Sequence, residues 1–169
     1  MLYFLRHLLA ILALPMTVVA IVPVWIARRS GMQLRWPAAP GEVVLAAAGA
    51  LVVGIGLVLF GASLHQFFSH GRGTLAPWDP PRRLVVNGAY RYVRNPMISG
   101  IIFLLLGLAM VLRSAPHAVW AATFVAINAV YIPLFEEPML KARFGADYER
   151  YRRHVGRFVP RLRPWNNAE

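Results

Sequence analysis

Four long uncharged runs organise the chain. Residues 8–27 (LLAILALPMTVVAIVPVWIA), 43–64, 96–112 and 118–135 contain no Asp, Glu, Lys or Arg. A helix needs about 20 such residues to cross the hydrocarbon core of a bilayer, within a range of about 17–25. Each run therefore predicts a transmembrane helix. The expected fold is all-α and polytopic, with about four spans in a single domain over residues 1–169. Only residues 113–117 part the last two runs, which predicts a tight helical hairpin, with Pro116 suited to the first turn of the returning helix. A cleaved signal peptide is the alternative for the first run. Its apolar stretch exceeds the about 7–15 residues of a signal core, which favours a span.

The pattern changes after residue 135. Leu140, Phe144, Tyr148, Tyr151 and Val155 recur at helical spacing, while Lys141, Arg143, Asp147, Glu149, Arg150, Arg152 and Arg153 take the other face. This spacing predicts an amphipathic helix within the C-terminal segment 136–169, suited to the membrane surface or to closing over a bundle. The connection 65–95 is rich in Gly and Pro and reads as a loop ordered by turns. Within the second run, Ala46, Ala50 and Gly54 offer a small face for helix packing. Asn128 in the fourth run needs a hydrogen-bond partner inside the membrane.

Composition agrees with this reading. The chain is 58% hydrophobic and 15% charged, where soluble domains carry about 25% charged residues. Its net charge of +11 would suit nucleic acid in a soluble protein, but here the charges lie between apolar runs, so no nucleic-acid partner is expected. With both termini cytoplasmic, the inner segments hold fourteen Lys and Arg and the outer segments four. The positive-inside rule favours that orientation. Seventeen of these residues are Arg, a bias that inclines towards a GC-rich bacterial source and so the inner membrane. There is no Cys, which removes disulfides, thiolate metal sites and cysteine nucleophiles.

The five histidines show no pairing at three or four residues, so no metal site is expected. Two polar regions remain as candidates: the loop 65–95, and the pair Glu136–Glu137 where the fourth run meets the amphipathic segment. Carboxylates there are stabilised by the dipole of the helix that Pro138 begins. They also suit an amine, a cation or a ribose diol.

Three blocks in order, LVVNGAYRYVRNPMISG at 84–100, the Glu-Glu pair, and FGADYERYRRHVGRFVP at 144–160, resemble the isoprenylcysteine carboxyl methyltransferase and phospholipid methyltransferase superfamily. The resemblance implies S-adenosylmethionine as cofactor and methyl transfer to a hydrophobic or lipid-linked acceptor beside membrane lipid. It implies cofactor contacts from Leu84, Val85, Tyr90, Asn95, Pro96, Met97, Ile98, Gly100, Glu136 and Glu137, with Glu137 matching the family's cofactor-binding carboxylate and Glu136 its neighbour. Gly71 and Gly73 match a G-x-G element more loosely. Two positions depart from the family pattern: Asn95 stands for His, and Ile98 for Tyr. Arg91 and Arg94 are the candidates to anchor a carboxylate acceptor, and Glu136 to take a proton from an amine. The alternatives are an NADPH-dependent membrane reductase of the sterol-reductase type, with Arg82 and Arg83 near its phosphate, and a non-enzymatic membrane protein of the same fold.

Overall fold

A computed structural model describes residues 14–70, 84 and 86–166 of the chain. Among these the regular structure is all helical. A π-helical turn, Thr17–Ile21, leads into α1 (Val22–Arg29), followed by α2 (Pro40–His70), a 3-10 turn (Gly88–Arg91), α3 (Pro96–Leu112) and α4 (Ala115–Tyr131). A second π-helical turn, Ile132–Glu136, carries α4 without a break into α5 (Glu137–His154). The chain divides into two compact units, Met1–Leu57 with Ile101–Thr123, and Val58–Gly100 with Phe124–Glu169.

α2 contains the second apolar run and extends past both of its ends. α3 coincides with the third, and α4 with its π-turn contains the fourth. Residues 8–13 of the first run lie outside the described residues. Two helical stretches are long and apolar enough to cross a membrane, Pro40–Gln66 and Ala115–His154, while α3 is apolar but shorter at 17 residues. α2 is apolar on every side, and Val44, Leu51 and Val58 are each more than two-thirds exposed. A helix hydrophobic all round needs an apolar surrounding, and among the described residues α2 finds only part of one, as a helix with one side in a bilayer would.

In the first unit α2 meets α3 backbone to backbone. A Cβ on Gly107 would stand 2.7 Å from both the carbonyl of Gly49 and the amide of Val53. The small residues that α2 buries are Gly49, Gly56 and Ser63, at spacing seven, whereas Ala50 and Gly54 are exposed. The packed face is therefore not the Ala46–Ala50–Gly54 face that the spacing of small residues suggested. Both faces have the composition for close approach, and the partner helix selects one.

Two residues, Arg113 and Ser114, separate α3 from α4. Arg113 takes a left-handed conformation at φ 50°, and its Nη2 donates to the Arg35 carbonyl at 2.9 Å. Glu42 accepts from Arg35 at 3.4 Å and from the Ala38 amide at 3.0 Å. The 28–42 and 113–117 connections, expected on one membrane side, are thus tied together.

Proline shapes both π-turns. Val22 donates to the Thr17 carbonyl and Pro23 has no N–H, so the Val18 carbonyl lacks a helical donor. Trp120 Nε1 supplies one at 3.1 Å. Buried His117 joins the Pro23 carbonyl at 3.1 Å and Ser114 Oγ at 2.7 Å, docking α4 on the N-terminal segment. Around Pro133 and Pro138 the ladder slips likewise, with the Glu137 amide bonding to the Ile132 carbonyl. Asn128 donates to the Phe124 carbonyl within its own helix at 2.8 Å.

Candidate active site around the paired carboxylates

The second unit is organised by α5 and the arm that follows it. Tyr148, Tyr151 and Val155 bury the predicted apolar stripe against Trp165, with Leu84, Val86, Leu140 and Phe144 packed around them. The stripe is covered by the chain itself. α5 bends at Gly145, whose φ of 53° and ψ of −124° are open to glycine and strained for other residues. The arm then winds along residues 91–94: the Arg94 amide donates to the Gly156 carbonyl, Arg161 to Tyr92, and Trp165 to Arg91, at 2.8–2.9 Å.

This winding brings arginines to Glu137. Its Oε1 accepts from Arg94 Nη1 at 2.8 Å and from Arg157 Nε at 2.7 Å, and Arg152 lies 3.8 Å from Oε2. Arg94 Nη1 also donates to the Tyr148 hydroxyl at 3.2 Å. Burial alone would push the Glu137 carboxyl up. The Arg157 hydrogen bond and the charges of Arg94, Arg157 and Arg152 overcome it and hold Glu137 below the ordinary carboxylate range.

Glu136 has the opposite surroundings. Among the described residues it accepts no hydrogen bond and makes no ion pair. Burial and the neighbouring Glu137 charge push its carboxyl up, against a smaller pull from Arg94. Tyr90 lies close enough to feel the Glu136 charge, and its hydroxyl faces Ser63, although Ser63 Oγ closes no hydrogen bond of normal geometry. Arg94 Nε and Ser99 Oγ are likewise buried without partners. Buried polar groups are normally paired. Gln66 Oε1, Arg161 Nη1 and Trp165 Nε1 are also buried without partners. Of these atoms, Arg94 Nε belongs to a side chain near enough to pull on Glu136, which makes the two a candidate pair for a polar ligand.

Of the residues singled out from the sequence, the structure brings together Tyr90, Arg94, Glu136 and Glu137. Leu84 packs on the Tyr148–Trp165 cluster. Asn95, Met97 and Ile98 are half-buried, Pro96 and Gly100 are buried in the first turn of α3, and the Asn95 carbonyl accepts from the Ser99 amide at 2.8 Å. Arg91 stands apart from the carboxylates: its Nε donates to the Trp165 carbonyl at 2.9 Å and its Nη2 to Asn166. Val85, Gly71, Gly73, Arg82 and Arg83 lie outside the described residues. Arg157, Ser63 and Ser99 escaped the sequence reading. Arg157 is one of eight basic residues after position 135, and its spacing does not distinguish it from the others.

No solved structure matches the chain significantly. A methanethiol S-methyltransferase 2 of Bradyrhizobium diazoefficiens is 39% identical over 104 residues, which are 62% of this chain and 37% of that protein's own length. The profile of the phospholipid methyltransferase family matches residues 44–147, from α2 through both carboxylates into α5, and the chain belongs to that family.

Proposed function

We propose that the protein transfers a methyl group from S-adenosylmethionine to a hydrophobic acceptor at a membrane surface. The observation that carries this reading is the juxtaposition, in a phospholipid methyltransferase family member, of the free Glu136 carboxylate with the unpartnered Arg94 Nε. These groups fit the cofactor's chemistry. Glu136 is an acceptor for an ammonium or a ribose diol, and Arg94 Nε is a charged donor for a carboxylate. When bound, the cofactor's sulfonium supplies an electrophilic methyl. Arg94 is held in position by Glu137 and Tyr148, and Tyr90 borders Glu136. The protein's task is to hold donor and acceptor in line and to exclude water.

The acceptor lies between two classes. A lipid-facing site suits an apolar or lipid-linked molecule drawn from the bilayer. The relative named for methanethiol favours a second reading, a small thiol. Three guanidiniums against two carboxylates leave the cluster net positive, which favours the thiolate that attacks. We place the protein in a bacterial inner membrane with both termini cytoplasmic, supported by the fourteen-to-four distribution of basic residues.

Binding of radiolabelled S-adenosylmethionine to the detergent-purified protein tests the reading, with S-adenosylhomocysteine and NADPH as competitors. Saturable binding displaced only by S-adenosylhomocysteine is expected. Displacement by NADPH would assign a reductase, and absence of binding would overturn the cofactor assignment. A paired screen of thiols and lipid extracts for labelled product then separates the two acceptor classes.

A further inference from the structure

The arm between Val155 and Trp165 is fastened at both ends and exposed in the middle. Val155 and Trp165 are each 1% exposed, and Arg161 is tied through its amide to the Tyr92 carbonyl. Between them Val159 is 73% exposed and Leu162 is 100% exposed. An aliphatic side chain held wholly in the open on an anchored loop has not simply been left outside a core. Its backbone is fixed while its side chain points outward.

The depth of this loop follows from what it is tied to. Arg91, Tyr92 and Arg94, its backbone partners, lie within five residues of Pro96, where the uncharged helix α3 begins. The loop therefore sits at the level where the chain enters the apolar phase. Its charge is of one sign. Residues 150–165 contain six Arg and no Asp or Glu. Arg152 and Arg157 face Glu137, but Arg163 beside Leu162 is exposed, as are Arg150 and Arg153.

We propose that the loop 156–164 is a membrane foot that docks on an anionic phospholipid surface. Leu162 and Val159 enter the boundary between headgroups and acyl chains, and Arg163 with its basic neighbours meets the lipid phosphates. Apolar insertion flanked by arginine is the arrangement by which interfacial segments recognise anionic bilayers. The amphipathic stripe of α5 cannot do this, because Tyr148, Tyr151 and Val155 are already buried within the chain. The foot would fix the height of the arm, and with it of Arg157 and Glu137, relative to the lipid.

The absence of Cys makes the test direct. Leu162→Cys, labelled with an environment-sensitive fluorophore, is reconstituted into nanodiscs of phosphatidylcholine alone or with phosphatidylglycerol. Leu162 is fully exposed, so the label leaves the packing intact. The expected result is blue-shifted emission, quenched by nitroxide-labelled acyl chains and shielded from iodide, increasing with phosphatidylglycerol and falling with salt. Adding Arg163→Gln should lower the ratio of inserted to aqueous probe about fivefold in the anionic discs, the factor that one surface arginine supplies. A probe open to iodide in both compositions would overturn the foot. Insertion of equal extent in both would overturn its anionic selectivity.

Discussion

Glu137 accepts from two guanidiniums at 2.7 and 2.8 Å, so its replacement by Gln leaves Arg94 facing a neutral amide in a buried site. Removing one partner of a buried ion pair is strongly destabilising, and we expect Glu137→Gln to lose about 3 kcal/mol in chemical denaturation. Any loss of cofactor binding in that variant would be mixed with unfolding. Glu136→Gln is the cleaner probe. Its ionised form is disfavoured by burial and by Glu137, so the substitution should leave the protein as stable or slightly more so while abolishing S-adenosylmethionine binding. Full affinity in Glu136→Gln would refute the role assigned to this carboxylate. The pH dependences should separate in the same way. Glu137, held low, contributes stability above the ordinary carboxylate range that is lost as pH falls through its lowered value. Glu136, held high, takes up its proton first. Its stability contribution is present at low pH and lost as pH rises through its raised value. Binding should therefore fail, on acidification, at a higher pH than the fold does. Equilibrium dialysis and tryptophan fluorescence over one pH series would read both. The adjacency of the two carboxylates was plain in the sequence, where the resemblance gave cofactor binding to Glu137 with Glu136 as its neighbour. The ties of Glu137 to Arg94 and to Arg157, twenty residues away, are why the proposed role moves to Glu136.

At the scale of elements, the contact of α2 with α3 depends on two missing side chains. An added methyl at Gly107 would stand 2.7 Å from backbone atoms of α2 that cannot rotate away. We expect Gly107→Ala to lose about 1–3 kcal/mol through overpacking, and Gly54→Ala, with open space around it, to be neutral. Thermal unfolding of the two variants in the same detergent checks this, and equal melting temperatures would remove the contact from the account. The positions of the helices follow from the apolar runs and were legible to within a few residues, except that α2 continues through residues 65–70, which the Gly and Pro content of 65–95 had assigned to a loop. Their interruptions were less so. Pro138 suggested that a new helix begins beside the carboxylates, yet α4 continues into α5 because a π-turn absorbs the missing donors. That turn places Glu136 at its last residue, and π-turns in helices often sit at functional positions.

At the scale of the whole molecule, the C-terminal arm completes the second unit. Trp165 is buried against Tyr151 and His154, and its backbone is bonded to Arg91 in both directions. Trp165→Ala should release the arm, with a loss of about 3–5 kcal/mol for a buried Trp. Hydrogen exchange of the Arg94 and Arg161 amides, and of the amide at position 165, should then quicken together. Unchanged protection would show that the arm is held by other contacts. The amino-acid sequence by itself determined the helical class, the apolar segments, the amphipathic stripe of α5 and the family. Each of these is a property of local composition, periodicity or motif order, and the surrounding solvent enforces it without reference to distant residues. Tertiary structure alone decided which small face of α2 is packed, which arginine serves Glu137, and that Arg91 turns to the arm instead. Those are choices among chemically equivalent residues. Only distances set by the folded chain can make them.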